Sequence, residues 1–301
     1  MTKRTWKDHL LSSGLPLEQS VIQSLRKLDI LDPREYKYER INEAGIPTLF
    51  SVDIHATRMG PVWLELFIEC KYRHDGTRWV FTPDEFNFGR DEAFQDMFIL
   101  LDTFAGGYSV DRNLINRQFK KDDLCRKGIE ILRDDANPKS IEQSIQQIRY
   151  ALVEESIDAI IHQVERLLGG VGPVFVLVPI IVTTAELWRL RHGITIEGIR
   201  KAADLQEIAE RRDFLFIEHK PDNQLTRHTR ARFSELLSDE DKREIDNQLK
   251  AMSKHSGYVP FVNGFSSDCP SRVMAVNYNT FEDLVKRLIS IFDDPNLIKK
   301  Q

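Results

Sequence analysis

Residues 62–73 read VWLELFIECKYR and place Glu69 and Lys71, two residues apart, at the end of an apolar run. Side chains on a strand alternate between its two faces. The even positions are Val62, Leu64, Leu66, Ile68, Cys70 and Tyr72, and the odd ones Trp63, Glu65, Phe67, Glu69, Lys71 and Arg73. The even face is the expected core face, and the odd face becomes polar toward its end. Residues 48–57 divide the same way, with Phe50, Val52, Ile54 and Ala56 on one face and Ser51, Asp53, His55 and Thr57 on the other. Arg58-Met-Gly-Pro61 between the two stretches reads as a turn, so an antiparallel hairpin is predicted. Burying both even faces brings Asp53, Glu69 and Lys71 onto one face. A slip of one residue would carry Asp53 into the core, so paired residue numbers must sum to an even value. Pairing Thr57 with Trp63, for example, sets Asp53 opposite Phe67 and diagonal to Glu69, at roughly 5–8 Å between Cβ atoms.

Working outward, residues 16–28 predict a helix, with Pro16 near its start and Leu17, Val21, Leu25 and Leu28 on one face. Residues 35–42 supply the first strand of a three-strand meander. Residues 83–138 are acidic, helical in patches and irregular elsewhere, and read as a helical insertion with a break at Gly106-Gly107. Residues 139–168 predict a long helix on the stripe Ile141, Ile145, Ile148 and Leu152, stopped by the glycines at 169–172. The run VFVLVPIIVTT at 174–184 has the β-branched density of a strand covered on both faces, with Pro179 predicting a bulge or a break. Beyond it, helices are predicted at 196–210, 238–253 and 280–292, and extended pieces at 214–218 and 272–278. The order gives an α/β fold with a mixed central sheet flanked by helices. Residues 1–184 form its core, and 185–301 an α/β extension packed on it with possible substrate or oligomer contacts.

The bulk numbers narrow the function. With 41% hydrophobic and 30% charged residues, the 301-residue chain has a globular composition. A net charge of −5 argues against non-specific coating of nucleic acid, though not against a local basic groove such as RHTRAR at 227–232. Cys70, Cys125 and Cys269 form no CxxC or Cys/His cluster, so a disulfide framework and a structural zinc site are not expected. A cytoplasmic location is expected. The longest apolar run, 174–182, is too short to cross a bilayer, and no Gly-rich nucleotide loop is present.

Two carboxylates held together repel, and one takes up a proton unless a cation intervenes. A hard divalent ion such as Mg²⁺ accepts oxygens from both and keeps waters. A lysine on the same face can then orient a water or stabilise charge on a phosphate. Asp53, fifteen intervening residues, then Glu69-Cys70-Lys71 resembles the PD-(D/E)XK nuclease superfamily, the restriction-endonuclease-like fold, with Val52 in place of the motif's proline. The resemblance implies that Asp53 and Glu69 hold Mg²⁺, with Mn²⁺ able to substitute, and that Lys71 assists the attacking water. Glu18, on the preceding helix, stands where many members carry a third metal ligand. Asp53, Glu69 and Lys71 are thus the candidate catalytic residues, and Glu18, Asp53 and Glu69 the metal ligands. His55, Arg73, His74 and, from the long helix, Gln147 are weaker candidates for substrate contact.

The expected function is a Mg²⁺-dependent DNA endonuclease, in restriction, phage defence or repair. It would act as a homodimer or with a partner protein that supplies specificity. An RNA or structure-specific nuclease, or a non-catalytic nucleic-acid or protein-binding module on the same fold, is the alternative.

Overall fold

A computed structural model describes residues 5–41, 46–84, 97–120, 123–132, 135–137, 139–167, 173–252 and 257–300. In chain order the elements begin with α1 (Trp6–Ser12), α2 (Leu15–Lys27), β1 (Leu31–Ile41), β2 (Pro47–Met59), β3 (Trp63–Lys71) and β4 (Thr77–Pro83). There follow β5 (Ile99–Leu101), β6 (Tyr108–Val110), α3 (Arg112–Asn116), β7 (Leu124–Leu132), β8 (Asp135–Asn137), α4 (Lys139–Leu167), β9 (Phe175–Thr183) and β10 (Glu186–Leu190). The last are α5 (Ile196–Lys201), α6 (Leu205–Ile208), β11 (Ala209–Arg212), β12 (Phe214–Glu218), α7 (Asn223–Leu236), α8 (Asp239–Ala251), α9 (Tyr258–Asp268), β13 (Arg272–Asn277), α10 (Tyr278–Phe292) and β14 (Ile298–Lys300).

Twelve strands form one mixed sheet in the order β1-β2-β3-β9-β13-β12-β7-β4-β10-β11, with β5 beside β9 and β8 beside β7. β3, β9 and β13 run parallel, whereas β1, β2 and β3 form the antiparallel meander. Because β12 and β13 lie between β9 and β7, residues on both sides of position 184 build the same sheet. No helix among the described residues is long and apolar enough to cross a membrane.

The sheet separates two apolar layers. α2 and α10 cover one face, where Leu17, Val21 and Leu25 meet Ile54, Leu66, Ile68, Phe281 and Leu288. α4, α7, α8 and α9 cover the other, where Ile148 and Ile160 of α4 lie in one cluster with Phe67, Leu177, Phe233 and Ile245. The odd face of β3 is therefore a second core face, and seven of the strand's nine residues are buried. That corrects the expectation of one covered and one open face: α4, at 29 residues, is long enough to roof this strand and its neighbours.

Two other expectations need correction. Residues 83–138 are not a helical insertion: among the described residues they hold four short strands and one five-residue helix, and β7 pairs with both β4 and β12 inside the sheet. Its alternation is masked by charge, since Lys127 and Glu130 sit on a strand whose burial is only partial. Pro179 breaks nothing, because it pairs in register with Phe67, and on the other flank it falls between the β5 partners of 175–177 and the β13 partners of 180–183. A missing N–H costs least where no ladder partner waits. The helix expected at 196–210 is two short pieces followed by β11, and the glycine stop at 169–172 lies outside the described residues.

Candidate active site

Strands β2 and β3 pair from Met59↔Trp63 to Ile54↔Ile68. The pairs sum to 122, so the even-sum requirement holds, two residues away from the Thr57–Trp63 example. Continued by one step, this register puts Asp53 across from Glu69. The ladder stops there, while β3 stays paired with β9 as far as Lys71↔Thr183.

A bulge explains the stop. On β1, Arg34 pairs with His55 and Tyr36 with Val52, so Asp53 and Ile54 together oppose the single residue Glu35. The extra residue reverses the alternation of β2, and Val52 joins the layer under α4 whereas Ile54 joins the layer under α2. Bulges bend a strand and re-aim a side chain. Here the bulge turns Asp53 into the gap left by the ladder, where its Oδ2 accepts the Cys70 N–H at 2.7 Å. A carboxylate thus takes the place of a strand carbonyl, and Asp53 belongs to neither apolar face.

Glu69 is fully buried. One of its oxygens accepts from the Lys71 ammonium, and the other, Oε2, has no hydrogen-bond partner. Burial first, and then the charge of Asp53, push the Glu69 carboxyl up to about 7, against the opposing pull of Lys71. Asp53 is likewise raised, chiefly by burial, and so is Glu18, by burial and then by Asp53. Glu18 on α2 therefore lies close enough to feel Asp53 and Lys71, from the α2 side of the sheet. Three carboxylates share one ammonium, and the surplus negative charge with an orphaned oxygen suits a hard divalent cation. Among the described residues the oxygens of Glu18, Asp53 and Glu69 are not all within 4.8 Å of one another. Mg²⁺ keeps several waters, which can span such a gap.

The frame around β3 is firm. Thr183 donates to the Lys71 carbonyl at 2.9 Å, and Thr184 exchanges hydrogen bonds with the Arg73 backbone at 2.6 and 2.7 Å. Tyr38 of β1, buried and electrostatically coupled to Glu69, donates to the Gln147 carbonyl at 2.8 Å and so ties β1 to α4.

Other expected residues are placed differently. The Arg73 guanidinium is engaged by Glu130, by Ser140 and by the Tyr72 carbonyl, so it braces β3 against β7 and α4 rather than facing a substrate. His55 is buried, with Nε2 2.7 Å from Glu65 Oε2 and its ring stacked on Phe67 at 4.5 Å, away from solvent. His74 packs edge-on against Tyr72 and is half-buried. Gln147 contributes its carbonyl to the Tyr38 bond, and its side chain is half-buried. In RHTRAR, Arg232 donates to both oxygens of Glu154 at 2.6 and 2.8 Å and Arg230 to Ser266 at 3.1 Å, which turns much of that run inward.

Glu35 was not legible as a site residue. It lies opposite the bulge and raises both Asp53 and Glu18 electrostatically. Strand parity gives no signal for it, because the bulge that brings it close interrupts parity. With the geometry set out, comparison with protein-family models, with curated proteins and with solved structures finds no match to this chain.

Proposed function

We propose that this chain is a divalent-cation-dependent phosphodiesterase of the PD-(D/E)XK type, acting as a DNA endonuclease. One observation carries the reading: a bulge aims Asp53 at the strand end where Glu69 is buried with an unpartnered oxygen and Lys71 stands two residues on. Asp53 and Glu69, joined by Glu18, would hold Mg²⁺, with Mn²⁺ substituting. Such an ion neutralises phosphate charge and makes a bound water more acidic.

The chain's own groups divide the remaining work. Asp53, pinned by the Cys70 N–H, keeps a fixed position and a second oxygen for the ion. Glu69, whose affinity for a proton is raised by burial, is ready to exchange that proton for a cation. Lys71, three-quarters buried at its side chain, is freed when Glu69 is otherwise neutralised. Its ammonium then stabilises charge developing on a phosphoryl oxygen or orients the attacking water. Two such sites are needed to cut both strands of a duplex, which favours a homodimer. Cys70 and Cys125, both buried free thiols, suit a reducing, cytoplasmic setting. Service in restriction, phage defence or repair accords with this chemistry.

The test incubates the purified protein with plasmid, linear DNA and RNA in Mg²⁺, Mn²⁺ or EDTA, alongside Lys71→Ala and Asp53→Ala. Cutting that requires the cation and falls at least about a hundredfold in both variants is expected, a loss on the scale of a missing charge-stabilising group. Cutting of RNA alone moves the substrate class. Equal activity in EDTA, or undiminished cutting by both variants, refutes the proposal.

A further inference from the structure

On the α4 side of the sheet, ligand-bearing side chains from three elements converge: His55 of β2, Glu65 of β3 and Glu155 of α4. One nitrogen or oxygen from each lies within 4.8 Å of the other two. Among the described residues no other three His, Cys, Asp or Glu side chains meet so closely. Glu18, Asp53 and Glu69 take no part in it, so the cluster is separate from the candidate active site.

Each ligand is already oriented. The His55 ring is stacked on Phe67 at 4.5 Å and meets the edge of Tyr36 at 5.3 Å, with its Nε2 2.7 Å from Glu65 Oε2. Thr57 donates to that same oxygen at 2.7 Å, and Tyr36 hydrogen-bonds to the Glu155 carboxylate. Outer hydrogen bonds of this kind fix the direction and basicity of metal ligands. The charges do not balance, because one imidazole, even protonated, answers one carboxylate and two are present. Burial, and then Glu65 and Asp158, push the Glu155 carboxyl up to about 7 against the pull of His55 and of the Tyr36 hydrogen bond. A buried excess of negative charge is relieved by a cation. Half-buried Glu155 and exposed Asp158, three residues on along α4, give an ion a polar way in from solvent.

We propose that His55, Glu65 and Glu155 form a Zn²⁺ site that fastens α4 to β2 and β3, its fourth position taken by water. One imidazole nitrogen with two carboxylate oxygens is a donor set that suits Zn²⁺, whereas Mg²⁺ prefers oxygen alone. Ligand atoms about 2.0–2.1 Å from a tetrahedral Zn²⁺ stand roughly 3.3 Å apart. The His55–Glu65 pair therefore opens slightly around the ion, and Glu155 closes on it by a change of side-chain rotamer. Binding displaces the proton from Nε2, and the imidazole coordinates as the Nδ1–H tautomer.

The test strips the full chain with EDTA and titrates it with Zn²⁺ by calorimetry in an excess of Mg²⁺. One Zn²⁺ per chain is expected, with binding retained in Asp53→Ala, which alters the candidate active site. Glu155→Gln keeps the shape of the ligand without its charge and should weaken binding at least about tenfold, the smallest loss seen when even an outer partner of a ligand is removed. Co²⁺ in place of Zn²⁺ should give the visible ligand-field bands of a four-coordinate site, lost in His55→Ala; if that variant does not fold, Glu155→Gln decides alone. Absence of Zn²⁺ binding in excess Mg²⁺, undiminished binding by Glu155→Gln, or loss of binding in folded Asp53→Ala overturns the proposal.

Discussion

Replacing Glu69 by glutamine should stabilise the metal-free protein at neutral pH while removing the candidate metal ligand. In the folded chain the Glu69 carboxyl is raised from its ordinary value near 4.5 to about 7, first by burial and then by Asp53. A folded value above the unfolded one means that the native state binds the proton more tightly. The contribution to stability is full below about pH 4.5, falls as pH rises toward 7, and is lost above it. A displacement from 4.5 to about 7, at about 1.4 kcal/mol per unit, costs the folded state about 3 kcal/mol at pH 8. Only 1% of this side chain is exposed, so solvent screening removes little of that figure. Glutamine keeps the shape without the charge, and Lys71, 23% exposed, can turn to water. Urea unfolding of both proteins in EDTA, from pH 5 to pH 8, reads the effect directly. Glu69→Gln should be more stable by about 2–3 kcal/mol at pH 8 and differ little at pH 5, the scale set by the linkage relation. A difference that does not change with pH, or a variant less stable at pH 8, refutes the account of Glu69 as a buried charge in want of a cation.

Further tests probe the frame. Gly128→Ala would set a Cβ 2.4 Å from a ring carbon of fully buried Phe81 and 2.9 Å from Ile141 Cδ1, so a loss of about 1–3 kcal/mol in chemical denaturation is expected. An unchanged midpoint would contradict the close approach of β7 to β4. Arg232→Ala strips the paired donors from Glu154, whose carboxyl is pushed up by burial but held below its usual range by the two Arg232 hydrogen bonds and by nearby His228. A loss of about 2 kcal/mol near neutral pH is expected, below the range for fully buried pairs because Arg232 is 23% exposed. A lowered acid gives its stability above the ordinary carboxylate range and loses it on acidification. The deficit should therefore shrink in acid, and a deficit constant with pH would assign it to packing alone.

Local periodicity made much of this molecule readable. The helix expected at 16–28 is observed as Leu15–Lys27, and that at 139–168 as Lys139–Leu167, because each carries an apolar stripe at helical spacing. The meander and the pairing parity of β2 with β3 follow from alternation. What escaped was non-local. β7 joins the sheet through partners from residues 77–83 and 216–217, and no pattern within 124–132 announces neighbours so far along the chain. The burial of both faces of β3 depends on α4, which arrives more than sixty residues later. Arg73 and His55 looked available because their partners, Glu130 and Ser140 for one and Glu65 for the other, become neighbours only when the sheet closes.

The bulge at Asp53 is the point where parity failed and the chemistry gained. Strict alternation would have carried Asp53 on the same face as Phe67 and Glu69, in the layer that α4 seals with Ile148 and Phe67. A carboxylate there would have met apolar cover, as Glu65 does, and would have needed an internal partner such as His55. Two residues opposite Glu35 instead of one move Asp53 to the edge of the ladder, where Cys70 offers a backbone N–H and Glu18 approaches from the α2 side. Glu69 remains on the α4 side and keeps its burial, while Asp53 stays in the gap of the ladder, each held by a different constraint. That division accounts for a pair of carboxylates that repel and yet cannot separate: one is fixed by a strand's backbone, the other by the core around it.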